Sequence, residues 1–529
     1  MKIYQILFSV LSILFIFSCN ENPPNIPDDN NNIPPQSNDS LYVNLYNVPK
    51  YAKNDSLKFN GKIKNYSFII CEGGEKIVKQ KINDSTFSFW YTFKKNTLNK
   101  LIVYAQDNYN RNSDTIVFSI IHDNIPPKML FSSIQQNEKS VPIDRAIKFI
   151  MDESISSISA QFLLSTISSD FQYSYYPDRK TIGITTYQFL AGLEYPLRII
   201  FSDSASNYLD TTIVFRTYYE KIDLLNSSSS LVKMFLSSDG STLYLAQTNP
   251  NALLVYDVST LSLKKNIPIP FLIKDATYNP YNGKVYIASF EESRVICVDP
   301  SGGQVLRNIP LIETGNPVYT PKHPISIAFA SNGVGIVTAL PLSASGPFSV
   351  QVIDSRDNDS IYVHPFYSPE TFNWFIAYSF NNNSHLALVE QQGNGIFSIY
   401  DPVANTFTEY FGRQAQHSVR GNRKNNLLAI YGNEGIYLFN SLGNIVNHSP
   451  SNAILGRQFD FTYLNGEEYS IYVIYDKNIW VVDLLQNTMS SQAGLYGYSY
   501  DFFVTPDGKY IIDYQPPNIL FIEPSTFRR

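Results

Sequence analysis

From about Leu231 to the C-terminus the chain writes one short pattern seven times: an apolar strand, a turn, a second strand, a loop, and a third strand closing on an acid or its amide. The second strands align on Tyr244, Tyr286, Ile336, Ala387, Ala429, Tyr472 and Ile511. The third strands end at Asp257, Asp299, Asp354, Asp401, Asn440, Asp483 and Glu523. Both series advance by roughly 40 to 55 residues, about the period of a propeller blade. A unit of four short strands cannot bury both its faces alone. Such units therefore stack on one another, and radial stacking closes them into a ring with short, protected edges. The repeat predicts a seven-bladed β-propeller over residues 218–529.

The turns agree with that pattern. Asp239-Gly240, Asn282-Gly283, Asn332-Gly333 and Asp507-Gly508 stand between the first two strands of copies one, two, three and seven, and such pairs suit tight hairpins. Copies four to six are degenerate, with Asn-rich turns. The last copy ends early: after NILFIEP only Ser525 to Arg529 remain, too little for a fourth strand. The segment from Tyr218 to Leu225 has no other place and is predicted to supply that strand. Early and late chain would then close the ring and remove two exposed edges.

These copies resemble the YVTN-type repeats of seven-bladed propellers, a group that includes lactonase-like and surface-layer propellers. Two further sets of short alternating runs precede them. Residues 41–122 contain SLKFNGKI, STFSFWYTF, KLIVYAQD and DTIVFSI; residues 125–217 open on Pro126-Pro127 and contain AIKFIMDE, TIGITTY, YPLRIIFSD and TTIVFRT. Strands at this spacing read as β-sandwiches. Both sets end on an Asp/Asn turn before an apolar strand, Asp107 to Phe118 and Asp203 to Phe215. In this they resemble bacterial Ig-like domains, and the second resembles the surface-layer type. The expected fold class is all-β: two Ig-like β-sandwiches followed by a seven-bladed β-propeller.

At 529 residues the chain is too long for one core,. Its 38 Tyr and 35 Phe favour pleated, half-buried surfaces, and no helical period is sustained,. A net charge of −6 without a basic block argues against binding nucleic acid or anionic lipid through bulk charge,. Cys71 and Cys297 sit in apolar runs of different expected domains and read as buried thiols rather than a disulfide.

The N-terminus carries its own instruction. Met1-Lys2 is followed by an apolar run of about fifteen residues, signal-peptide length and short of a bilayer span. The run ends Ile16-Phe17-Ser18-Cys19, which resembles the lipobox of bacterial lipoproteins and implies lipidation of Cys19. The alternative is an ordinary cleaved signal peptide with an incidental cysteine. Residues 1–19 are thus expected to be a lipoprotein signal, and the Asn/Pro-rich residues 20–40 a disordered tether. Membrane contact would run through the lipid alone, with the cell envelope, as an outer-membrane lipoprotein, the expected location.

Site candidates are sparse. The inner strands carry one polar residue near the start of most copies: Lys233, Asp275, Ser326, Ser418, Asp460 and Asp501, with His323 and His417 close by. Pointing into a channel, these would form a ring able to hold a cation or polar ligand; the plainer alternative is a wet polar wall. A one-residue offset would turn any of them to the other face. Tyr319, Tyr367 and Trp374, with Phe366 and Phe372, fall in loops flanking copies three and four. There they either stack on a sugar or partner, or pack the sheet ends. The acids Asp354, Asp357 and Asp359, and the set Asp107, Asn112 and Asp114, read as turns rather than calcium loops.

No histidine pair has ligand spacing, and no nucleophile elbow, phosphate loop or haem-type cysteine pair occurs. No catalytic residue, metal or cofactor is therefore assigned. The lactonase-like resemblance implies Asp275, His323, Asp460 and Asp501 as groups a site over the channel would recruit. The expected function is a non-enzymatic binding or adhesion module whose propeller rim engages a protein or glycan. The alternatives are an envelope hydrolase of lactonase-like type and a scaffold of an envelope complex.

Overall fold

A computed structural model describes residues 42–83, 85–164, 171–186, 189–226, 228–312, 322–341, 348–365, 375–380, 385–390, 397–410, 415–432, 435–450, 458–463, 469–475, 477–495 and 497–527. The signal segment with Cys19, the tether, and the loop aromatics Tyr319, Phe366, Tyr367, Phe372 and Trp374 lie outside the described residues, as do the side chains of His417 and Ser418. The chain is all-β: strands run throughout, and no α-helix occurs among the described residues. It divides into two compact units, one taking in the chain to Pro126 with Ser204–Asn207, the other Pro127–Asp203 and Tyr208 onward.

The first unit holds two sheets. One orders Tyr42–Leu45, Ser56–Lys64 and Thr86–Thr92; the other orders Tyr51–Ala52, Ile116–His122, Leu98–Gln106, Phe68–Glu72 and Val78–Lys81. Burial alternates along Thr86–Thr92, sending Phe87, Phe89 and Tyr91 inward and Trp90 to solvent. A strand of period two with one face on a core requires that alternation. Asp107 is a turn residue: its carboxylate accepts the Tyr109 and Arg111 amides at 2.8 and 2.9 Å and pairs with Arg111 Nε at 2.7 Å. Cys71 is buried with a free thiol, as is Cys297 in the other unit.

The second unit begins with a four-stranded sheet, in the order Phe171–Tyr175, Thr181–Thr186, Ile147–Met151, Met129–Ser132, and a three-stranded one of Ser157–Phe162, Glu194–Ser202 and Tyr208–Arg216. Among the described residues, seven four-stranded antiparallel sheets follow. Six are continuous in sequence, spanning 230–268, 273–310, 322–364, 375–410, 415–450 and 458–494. The seventh joins Asp501–Val504, Ile511–Gln515 and Asn518–Ile522 to the early strand Glu220–Asp223. That strand lies antiparallel to the last one, with Glu220 opposite Phe521 and Ile222 opposite Ile519. This is the fourth strand that the short final copy lacks.

Burial within these sheets differs from that of the strands before them. Thr242–Thr248 is buried along its whole middle, whereas Glu194–Ser202 alternates. A strand loses its alternation when both faces are covered, and here each sheet is covered by its two neighbours. Separate apolar cores lie between the first and second sheets, second and third, third and fourth, and fourth and fifth. Another joins the seventh to the first, through Phe503, Ile512 and Phe521 against Met234, Leu243 and Leu254. The fifth, sixth and seventh sheets share one core with strands 129–216, including Phe149, Phe189 and Phe215. Ala191 N donates to Gly494 O at 2.7 Å, and Ile143 N to Thr526 O at 3.1 Å, along that shared boundary.

The repeated turn residues have visible duties. Gly240, Gly283, Gly333 and Gly508 all take positive φ, between 70° and 87°, which a side chain tolerates poorly. The acids ending the third strands cap the next turn: Asp257 accepts Thr260 N at 2.9 Å, Asp299 Ser301 N at 3.1 Å, Asp401 Val403 N at 2.8 Å, and Asp483 Leu485 N at 2.9 Å. The Ser301 hydroxyl above all, with the Gly302 amide and Lys284, holds the Asp299 carboxyl down to about 2. The periodic acid is thus a turn device.

Candidate functional site

The first strands of consecutive sheets lie side by side around an axis. In four of them the ladder slips by a bulge, between Leu231 and Lys233, Ile273 and Asp275, Pro324 and Ser326, and Ala415 and Ser418. A bulge re-aims the side chain beyond it, and in the first three sheets that residue is a polar candidate from the sequence: Lys233, Asp275 and Ser326.

What the structure assembles there is a cross-sheet network. Asp275 on the second sheet accepts Lys233 Nζ of the first at 2.8 Å and Ser326 Oγ of the third at 2.9 Å. It also accepts the backbone amides of Ala276 and Ile327, at 2.9 and 3.0 Å. Ser326 Oγ in turn accepts Ala377 N of the fourth sheet at 3.1 Å. Asp460 repeats the device, accepting Phe461 N of its own sheet and Val504 N of the seventh, both at 2.8 Å. Asp501 pairs with Arg420 of the fifth sheet.

Burial works against the Lys233 ammonium, but Asp275 more than offsets it and raises its pKa, aided by Tyr378 and Asp501. Burial pushes the Asp460 carboxyl up against the pull of Arg423 and Arg420. Burial raises the Tyr378 phenol as well, with Lys233 and Arg420 opposing. Lys233, Arg420 and Arg423 thus face Asp275, Asp460 and Asp501, three cations to three carboxylates. Beyond them, among Phe235, Tyr278, Phe329, Ser379 and Arg423, the space is about 90 Å³. That is well below the roughly 300–1,000 Å³ of ordinary small-molecule sites.

His323 stands apart from this network. Its ring stacks on Phe290 with centroids 4.4 Å apart, and Nδ1 meets the Phe290 carbonyl, which places it between the second and third sheets. The acids near Asp354 are held by arginines: Asp354 by Arg356 at 2.6 Å, Asp359 by Arg307 at 3.1 Å. Arg420, Arg423 and Tyr378 were missed in sequence. Arg420 shares strand parity with Ser418, which is the one signal that could have found it.

No family description matches the sequence, and no curated protein matches it. Among solved structures the chain is similar to hydrazine synthase of Kuenenia stuttgartiensis, at 12% identity over 57% of this chain and 97% of that one, with a TM-score of 0.43. It is also similar to a chain of a mitotic checkpoint complex, at 13% identity over 58% and 91%, with a TM-score of 0.44. A third is the Cps50 (Swd1) β-propeller domain of Myceliophteria thermophila, at 9% identity over 57% and 99%, with a TM-score of 0.44.

Proposed function

We propose that this protein is a cell-envelope lipoprotein anchored through Cys19, with a tether over residues 20–40. Two Ig-like β-sandwiches form its stalk, and a seven-bladed β-propeller forms a non-enzymatic head that engages a protein or glycan through one rim. The supporting observation is the axis itself. Asp275, Asp460 and Asp501 are occupied by Lys233, Arg420 and backbone amides of the adjoining sheets. A lactonase-like hydrolase needs a base free to take a proton from water, and Asp275, Asp460 and Asp501 are engaged in holding sheets together. An assembly scaffold differs from this reading only in its partner.

Two measurements test it. The full chain and its Cys19→Ser variant are expressed in a bacterial host that processes lipoproteins, and cells are fractionated. Wild type is expected with membranes and the variant in the soluble fraction; equal distribution removes the anchor. Purified chain is then offered lactones and esters. Turnover that disappears in Asp275→Asn refutes the non-enzymatic reading.

A further inference from the structure

We propose that the cleft between strands 129–216 and the seventh sheet is an oligosaccharide-binding site built on Tyr498 and Tyr500, an inference that rests on reading the ring as a binding head. The segment entering the seventh sheet leaves these two rings 63% and 65% exposed, two residues apart. Both line a cleft of about 430 Å³, with Gln515, Asn518, Glu194 and Lys221. Unlike the axial space, this volume lies inside the roughly 300–1,000 Å³ range of ligand sites.

Both rings are braced. Lys477 Nζ sits 4.3 Å from the Tyr498 ring centroid. Tyr500 N donates to Tyr514 O at 2.9 Å, its ring meets Tyr514 edge-on at 6.2 Å, and Gln458 Nε2 donates to its carbonyl. Aromatic surface held in place before a ligand arrives loses little freedom on binding. Gln515 is oriented as well: Nε2 donates to the buried Asp513 carboxylate at 2.6 Å. Gly497 passes so close that a Cβ there would lie 2.1 Å from Gln515 Oε1.

The chemistry selects the ligand class. A pyranose offers a C–H face, which lies on an aromatic ring, and a rim of hydroxyls that both donate and accept. Amide side chains match hydroxyls in both senses, while Glu194 accepts and Lys221 donates. The rest of the lining includes the apolar Leu193, Pro516 and Leu520, which can meet the C–H faces while the amides and charges take the hydroxyls,.

The test titrates the full chain by calorimetry with soluble oligosaccharides of β-1,4-glucose, α-1,4-glucose, β-1,4-xylose, β-1,4-mannose and β-1,4-N-acetylglucosamine. At least one is expected to bind saturably. Tyr498→Ala and Tyr500→Ala should each weaken it at least tenfold with circular dichroism unchanged, and Tyr498→Phe should retain it. Saccharide binding that survives both alanine variants overturns this cleft but leaves the binding head intact. Absence of binding to every oligosaccharide also overturns the inference, and the head reading then stands or falls on its own test.

Discussion

Asp513 lies fully buried on the second strand of the seventh sheet. Burial pushes its carboxyl up to about 6 from an ordinary 3.8, and Asp501 adds to the rise, while hydrogen bonds from Ser499 and Gln515 pull the other way. Because the folded value is the higher one, the native state keeps this proton to higher pH than the unfolded chain does. Stability from this group is therefore full below pH 4, falls as pH rises toward 6, and is flat above. A rise of about 2 units at 1.36 kcal/mol each costs the native state about 3 kcal/mol at pH 7. Asp513→Asn keeps the shape and the acceptor for Gln515 but removes the charge. It should stabilise the second unit by about 3 kcal/mol at pH 7 and leave it unchanged at pH 4. For a cooperative unit of about 400 residues that is a rise in Tm of about 3 to 4 °C,. Scanning calorimetry of both proteins at the two pH values decides it. An equal Tm difference at pH 4 and 7, or a less stable variant at pH 7, refutes the claim that desolvation dominates at this site.

Two further outcomes follow from the fold. Asp275→Ala removes the acceptor of Lys233, Ser326 and two amides and should cost about 3 kcal/mol by urea unfolding; adding Lys233→Met should recover part of that loss in a double-mutant cycle. Ile222→Ala thins the early strand opposite Ile519, where Ile222 is buried, and should cost about 2–5 kcal/mol,. Hydrogen exchange should then quicken first in Asn518–Ile522, and unchanged protection there would mean that the early strand does not hold the last sheet.

Much of the architecture was legible in the residues because it is governed by local rules. A Gly after Asp or Asn marks a positive-φ turn, an Asp closing a third strand caps the next one, and a short final copy demands a strand from elsewhere. Gly240, Asp257 and Glu220–Asp223 all answer to such rules. The axis was legible only in part. Its polar residues could be picked out, but not their partners, since Asp275 meets Ser326 from the next sheet and Asp501 meets Arg420 from two sheets away. His323, read as a channel candidate, has its ring stacked on Phe290, a contact the sequence did not show.

The sequence by itself determined the recurring strand-turn-strand pattern and, in copies one, two, three and seven, where the first turn falls, since strand alternation and turn chemistry act over a few residues. Only the tertiary structure decided which charges cancel, how small the cavity beside Tyr278 and Arg423 is, and that Tyr498 and Tyr500 stand beside Gln515 and Glu194. Those outcomes depend on bulges that re-aim side chains and on contacts between segments tens to hundreds of residues apart, and a repeat pattern carries no record of either.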